Sequence, residues 1–153
     1  MANIGKWSLS GVGLTTIFSA GTTAIDSVTT GTMTFSSATY ANQTNLDLYV
    51  DVEVNLGSLS PTAGAYVALY ALESVDGTNF PAQSGADMRL TSTQLMCVIP
   101  IGTTASTAQR VVARNILLPP AVLKFAFDNQ TGATTNASGN TVKILPYSYN
   151  LNG

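Results

Sequence analysis

The sequence has no histidine, one cysteine, Cys97, and one tryptophan, Trp7. Without an imidazole group, the usual hydroxyl–histidine and thiol–histidine routes of nucleophilic catalysis are excluded. Zinc and the transition metals lose their preferred ligands, and one cysteine cannot form an intramolecular disulfide. We therefore expect no enzyme activity, no metal and no cofactor. Cys97 lies in an apolar run, and we expect it to be a buried, unreactive thiol.

Charged residues are also scarce. They make up 9% of the chain, against about 25% in typical soluble domains. The six basic residues are scattered from Lys6 to Lys143, so we expect no binding to nucleic acid, which needs clustered Lys and Arg. No apolar stretch reaches the ~18 residues of a membrane-spanning helix, so we expect no association with a membrane. The sequence also lacks a glycine-rich phosphate-binding loop, and we expect no small-molecule substrate. A weakly charged surface promotes association, so this composition favours a chain packed among neighbours.

Short apolar stretches rich in β-branched and aromatic residues recur between Gly, Pro, Asn and Ser, and no segment keeps a helical period. They predict eight strands, at 14–19, 27–36, 46–56, 66–74, 93–99, 109–117, 123–129 and 141–147. Eight strands in a chain of this size indicate an all-β fold, with two packed antiparallel sheets in one domain that spans 25–153. The small polar residues of 130–140 predict an exposed, flexible loop.

The segment LDLYVDVEVNLG, at 46–57, alternates apolar and polar residues. Because strand side chains alternate between two faces, it predicts a half-buried strand with its carboxylates on the wet face. In the predicted strand 109–117, Arg110 and Arg114 likewise share one face. We expect the acidic and basic stripes to form ion pairs, within a subunit or across a subunit boundary. The residues concerned are Asp47, Asp51, Glu53, Arg110 and Arg114.

The same carboxylates also permit a catalytic interpretation. Asp51 and Glu53 are ~6–7 Å apart by strand rise, a separation found in glycosidase carboxyl pairs. A glycosidase also needs an aromatic-lined cleft for the sugar ring, and the single tryptophan lies close to the N-terminus. We therefore favour a solvated or ion-paired strand face.

Residues 1–24 mix apolar residues with Gly, Ser and Thr. A lysine followed by an apolar segment is also a feature of signal peptides, but the polar interruptions favour an extended arm that pairs when a partner edge is present. The candidate partner-binding residues of this arm are Ile4, Trp7, Leu9, Leu14, Ile17 and Phe18. Trp7 is the candidate anchor, because aromatic side chains dominate interface hot spots. Packing of Trp7 on the domain's own core is an equally open alternative.

Three segments resemble sequences in the jelly-roll capsid decoration, or cement, proteins of tailed bacteriophages. They read YALESVDGTNFP from Tyr70, LLPPAVLKFAFDNQTG from Leu117, and GNTVKILPYSYNLNG at the end of the chain. The features in common are a strand that ends in Ser-x-Asp-Gly-x-x-Phe, a Pro-led strand that runs into Asn-x-Thr-Gly, and a closing strand with Pro-Tyr. The resemblance covers about the C-terminal two-thirds of the chain.

This resemblance implies a jelly-roll sandwich with an extended N-terminal arm. It also implies a virion protein, made in the host bacterial cytoplasm, that binds the major capsid protein on the outer surface of the head. Proteins of this group commonly form trimers at threefold positions, although some are dimers, and they reinforce the shell. For this chain it implies a homo-oligomer, with a trimer favoured, and an arm that lies over capsid subunits or a neighbouring protomer.

Two other functions stay open at this point. A tail or baseplate component would share the β-rich, Thr- and Gly-rich character, and its location on the particle would distinguish it. A carbohydrate-binding β-sandwich would bind glycans through exposed aromatic side chains such as Tyr40, Tyr49 or Tyr147.

Overall fold

The computed structural model describes residues 6–9, 11, 13–19, 25–81 and 94–150. Within these ranges the regular secondary structure consists almost entirely of β-strands. The elements are β1 (Lys6–Leu9), β2 (Thr15–Phe18), β3 (Thr32–Ala41), α1 (Asn42–Asn45), β4 (Tyr49–Leu59), β5 (Tyr66–Ser74), β6 (Leu95–Pro100), β7 (Thr107–Leu117), β8 (Val122–Gln130) and β9 (Thr141–Asn150).

The strands form two antiparallel sheets. Sheet A has the order β1-β9-β4-β7, and β2 also pairs with β9; sheet B has the order β3-β8-β5-β6. From β2 to β9, each strand lies in the sheet opposite to that of the strand before it, except that β5 and β6 are neighbours in sheet B. This alternation is the jelly-roll wiring of a double-sheet sandwich. The predicted all-β sandwich is therefore confirmed, and the strand order makes it a jelly roll.

Strand β4 has the alternation that the sequence predicts. Val50, Val52 and Val54 point inward and are buried, whereas Tyr49, Asp51 and Glu53 point outward and are partly exposed. Burying each such apolar side chain contributes roughly 1.5–3 kcal/mol, so a one-residue slip of register would be costly. The core between the sheets also includes Phe18, Ile25, Leu56, Leu69, Leu123, Phe125, Phe127, Val142 and Ile144.

The alternation predicted for 46–56 fails before Tyr49. Leu46 ends α1 in the left-handed region, with φ of 53°, and this turn changes which side chains face inward. Asp47 is consequently buried, where the Tyr40 hydroxyl donates a hydrogen bond to its carboxylate. Asn42 exchanges two further hydrogen bonds with the Asp47 backbone, at 2.8 and 2.9 Å. The expectation that Asp47 lies on the wet face was therefore wrong.

The first two strands belong to the chain's own sandwich. β1 and β2 both pair antiparallel with β9, and together they occupy one edge of sheet A. We expected Ile17 and Phe18 to contact a partner, but both are buried in the core of this chain, where Phe18 packs edge-on against Phe127 with ring centroids 6.2 Å apart. The reason is that β2 closes sheet A over the core. Ile4 lies outside the described residues.

The loop 130–140, expected to be an exposed, flexible connection, makes hydrogen bonds to the segment before β3, one of them buried. The Thr135 hydroxyl donates to the Ile25 carbonyl at 2.6 Å and accepts from the Val28 N–H at 2.8 Å. The Asn129 amide donates to the Val28 carbonyl at 2.7 Å. The small polar residues of this loop satisfy buried backbone groups of the segment before β3, which is a role that composition does not indicate.

Candidate binding surface

Four side chains form a straight apolar row across the outer face of sheet A. Leu9 on β1 is opposite Tyr147 on β9, Tyr147 is opposite Tyr49 on β4, and Tyr49 is opposite Leu117 on β7. Directly opposed residues of neighbouring strands have Cβ atoms ~4.5–5.5 Å apart, so the row is continuous. We call these four residues the apolar row. It runs from one edge strand of the sheet to the other.

Trp7 packs beside the row. It is opposite Tyr149 in the β1–β9 pair, and its ring contacts Tyr149, Tyr147 and Tyr49 edge to face, with centroids 5.2, 5.3 and 5.9 Å away. Edge-to-face pairs of this kind contribute ~0.5–1.5 kcal/mol beyond the area that they bury. Trp7 thus anchors β1 to its own sheet, yet its side chain remains 61% exposed.

The predicted arm residues divide into two groups in the structure. Ile17 and Phe18 face the core, whereas Trp7, Leu9 and Leu14 are exposed. Leu117 and Tyr149 are also exposed apolar residues, and the sequence did not lead us to predict them as such. The alternation beyond Pro146 was a signal for Tyr149, but Leu117 was expected only as the end of a strand.

A polar cluster borders the apolar row on the same face. Asp51 Oδ1 accepts the Asn115 N–H at 3.0 Å and the Tyr147 hydroxyl at 3.0 Å, and that hydroxyl also lies 2.7 Å from Asn115 Oδ1. Asn115 has a positive φ of 58° at an irregularity in the β4–β7 register. Burial, and then the Asp51 carboxylate, raises the pKa of Tyr147. The Asp51 carboxylate therefore accepts its hydrogen bonds from residues of β7 and β9.

One predicted ion pair is formed within the chain. Arg110 Nε and Nη2 donate to Glu53 Oε2 at 2.9 and 2.5 Å. The Asn55 side-chain amide, and then the Arg110 guanidinium, hold the pKa of Glu53 below its ordinary value. The Arg110 side chain is largely exposed, so the pair is open to solvent and contributes at most about 1 kcal/mol.

The other predicted pairings are not brought together. Asp47 is buried against Tyr40, and Asp51 binds Asn115 and Tyr147 as described above. Arg114 is exposed on β7 and has no ion pair within the described residues. Tyr40 is buried, and Tyr147 lies on the outer face but is also buried, with 8% exposure. Of the three tyrosines considered for glycan contact, only Tyr49 is partly exposed.

The described residues show little reactive chemistry. Within them, no three His, Cys, Asp or Glu side chains cluster to hold a metal ion. Cys97 was expected to be buried and is only partly buried, yet desolvation raises the pKa of its thiol to about 12, so the nucleophilic thiolate is strongly disfavoured. In the same part of the chain, no helix has the length and apolar character that crossing a membrane requires.

Comparison with known proteins found no matching family, no similar curated protein and no similar solved structure.

Proposed function

We propose that this chain is a structural virion protein without enzymatic activity. In this proposal it binds the outer surface of a tailed-phage capsid as a symmetric homo-oligomer, with a trimer expected, and joins neighbouring subunits of the major capsid protein. The observation that carries the proposal is the apolar row: its middle is covered by ring packing on Tyr147, but its two ends, Leu9 and Leu117, stay exposed on the face of a jelly-roll sandwich with few charged residues. Large apolar side chains exposed together on one face mark a candidate interaction site.

The physical properties of the chain suit repeated docking. A shell presents the same surface many times, so an oligomer that engages several copies at once gains avidity from contacts that are individually modest. The 9% content of charged residues leaves little long-range repulsion between copies held close together. The register of the sandwich is fixed by its buried alternation, so its surface groups are held in place before binding.

The test is co-sedimentation of the purified protein with undecorated heads assembled from the major capsid protein of the phage that encodes it. We expect saturable binding and greater resistance of the decorated heads to heat. Leu117→Asp, which places a charge at one end of the apolar row, should weaken this binding, and Val75→Asp is its matched control, because Val75 is fully exposed and lies outside sheet A.

Two outcomes contradict the proposal. One is the absence of binding to heads that bind a known decoration protein. The other is recovery of the protein from disrupted virions only with the tails, which would identify it as a tail or baseplate component.

A further inference from the structure

The Ser-x-Asp-Gly-x-x-Phe segment begins at the last residue of β5, Ser74, and continues as a loop to Phe80. It contains the only Asp–Gly pair in the sequence, Asp76–Gly77. The Asp76 side chain is exposed, and Gly77 has no Cβ atom to shield its backbone nitrogen. The turn requires glycine at this position, because φ of residue 77 is 76°. A chemically reactive pair is therefore built into the loop.

The reaction open to an Asp–Gly pair is isomerisation to isoaspartate. The backbone nitrogen of Gly77 attacks the side-chain carboxyl carbon of Asp76, and the new C–N bond closes a succinimide ring with loss of water. Water then opens the ring at either carbonyl, which restores aspartate or leaves isoaspartate. The overall conversion loses one water and regains it, so no oxidant, reductant or other reactant is needed. Ring closure requires that the carboxyl group be protonated, because its hydroxyl leaves as water, and that it turn towards the Gly77 nitrogen.

The folded loop holds the Asp76 carboxylate in a different arrangement. Its Oδ1 accepts the backbone N–H groups of Thr78 and Asn79, at 2.9 and 2.7 Å, and the Ser74 hydroxyl at 2.9 Å. Its Oδ2 accepts the side-chain amide of Asn79 at 2.6 Å. Both carboxylate oxygens are thus engaged. The carboxyl group cannot turn onto the Gly77 nitrogen without breaking these bonds, which are strengthened by its charge.

The same donors keep the carboxylate ionised. The backbone N–H and then the side-chain amide of Asn79, with smaller contributions from Thr78 and Ser74, hold the pKa of Asp76 well below its ordinary value. Hydrogen bonds donated to a carboxylate favour its charged form. The protonated carboxyl group that ring closure requires is therefore scarce in the folded loop.

The loop is also fixed to the sandwich. Ser74 is buried and is opposite Val122 in the β5–β8 pair. A Cβ atom at Gly77 would lie 3.6 Å from a methyl group of Val122, so the loop lies over the start of β8. At its far end, the Lys124 ammonium is 5.8 Å from the ring centre of Phe80, within the range of a cation–π contact. Opening the loop would therefore break contacts with β8 as well as the bonds to the carboxylate.

We propose that Asp76–Gly77 is a latent isoaspartate site, and that the hydrogen bonds to its carboxylate suppress the isomerisation in the folded loop. Isomerisation would insert the Cβ methylene of Asp76 into the main chain and displace the two backbone N–H donors that face the carboxylate. The turn would then be lost, so each conversion would open the loop permanently. This inference is independent of the proposed function, and neither test bears on the other.

The experiment measures isoaspartate at residue 76 of the full chain, by peptide mapping with electron-transfer fragmentation, during incubation at mildly acidic pH. We expect the folded wild type to form it many-fold more slowly than the same chain unfolded in guanidinium chloride. Asn79→Ala removes the donor to Oδ2, and Ser74→Ala removes one donor to Oδ1, so each should raise the rate in the folded chain several-fold. The matched control is Thr78→Ala, because Thr78 donates to Asp76 through its backbone N–H, which alanine retains.

Asp128 in the same digests distinguishes local opening of the loop from general unfolding, because it lies within β8, and its rate should be the same in all folded variants. Circular dichroism and thermal unfolding verify that each variant is folded during the incubation. A folded wild type that isomerises as fast as the unfolded chain would overturn the proposal. So would an Asn79→Ala variant no faster than Thr78→Ala, or a rise in rate at Asp76 that is matched at Asp128.

Discussion

The Tyr147 hydroxyl donates to the carboxylate of Asp51 at 3.0 Å, and this contact joins β9 to β4 although the residues are 96 positions apart. The same carboxylate oxygen accepts the backbone N–H of Asn115 on β7. One side chain of β4 thus links the two strands that flank it, at the border between the apolar row and the charged end of sheet A.

Removal of this hydroxyl should destabilise the fold measurably. A hydrogen bond to a charged group contributes about 1.5–3 kcal/mol, so Tyr147→Phe should lower the free energy of unfolding by up to that amount. The matched control is Tyr149→Phe, because Tyr149 is an exposed tyrosine on the same strand, and its change should be close to zero. Urea unfolding of both variants is the measurement, and equal stability of the two would contradict a role for the Asp51 contact.

The Glu53–Arg110 pair predicts a loss of stability in acid. The folded pKa of Glu53 is lowered, so its contribution is present above the unfolded value of about 4.3 and is lost as the pH falls below it. Glu53→Gln should therefore show a smaller fall in melting temperature than the wild type between about pH 5 and pH 3. The difference should shrink at 1 M salt, because the pair is exposed. If the melting temperatures of the wild type and of Glu53→Gln fell by the same amount as the pH is lowered, the Glu53–Arg110 pair would make no contribution to stability.

Thr135 should be far more sensitive than the neighbouring Thr134. Thr135→Val removes a hydroxyl that satisfies the Ile25 carbonyl and the Val28 N–H, and each unsatisfied buried group costs about 1–3 kcal/mol. Thr134 is exposed, and Thr134→Val should change stability by no more than about 0.5 kcal/mol. Chemical denaturation compares the two substitutions, which have the same chemistry. A similar cost for both would mean that the loop is not held by Thr135.

Alanine substitutions at Gly132 and Gly139 distinguish the stability cost of backbone strain from that of steric clash. Both have positive φ, at 77° and 83°. A Cβ atom at Gly132 would lie 2.1 Å from Thr62 Oγ1, whereas one at Gly139 meets nothing within 4 Å. Gly139→Ala should cost about 1–2 kcal/mol from the left-handed backbone alone, and Gly132→Ala should cost about 1–3 kcal/mol more from the overlap. Melting temperatures of the two variants test this order, and the reverse order would refute it.

Cys97 should be inert in the folded chain. Its side chain is only partly buried, but desolvation raises the pKa of its thiol to about 12, so very little thiolate exists at pH 8. An unfolded cysteine has a pKa of about 8.5 and reacts readily. Labelling with a thiol reagent at pH 8 should be slow in buffer and fast in denaturant. Fast labelling of the folded protein would show that the thiol is accessible.

The local sequence pattern predicted strand position and side-chain alternation correctly in strands that have one buried face. The predicted strand 66–74 has the observed bounds, and the alternation of β4 from Tyr49 onward is present as predicted. The prediction failed at Asp47 because Leu46 is in the left-handed region, and no alternating pattern reveals such a reversal. It failed again in the loop 130–140, whose polar residues bind backbone groups that are distant in sequence.

The candidate surface also depends on contacts between distant residues that the local sequence pattern does not reveal. Trp7 and Leu9 were named from the sequence as partner-binding residues of the N-terminal segment, but the same criterion also named Ile17 and Phe18, which are buried, so composition did not distinguish the exposed from the buried positions. The assembly of Trp7 and Leu9 with Leu117 into one surface could not be named. It depends on the registers of β1, β4 and β7 with their neighbours, which bring positions from both ends and the middle of the chain onto one line.

By itself, the sequence determined the β-sandwich, the inward face of β4 from Tyr49 onward and the absence of imidazole chemistry, because alternation and composition are local properties. Tertiary structure alone decided which strands are neighbours, that Asp51 binds Tyr147 and Asn115, that Phe18 lies in the core, and that the apolar residues form a row. Each of these depends on contacts between residues far apart in the chain, and such contacts form only when both sheets close over a common core.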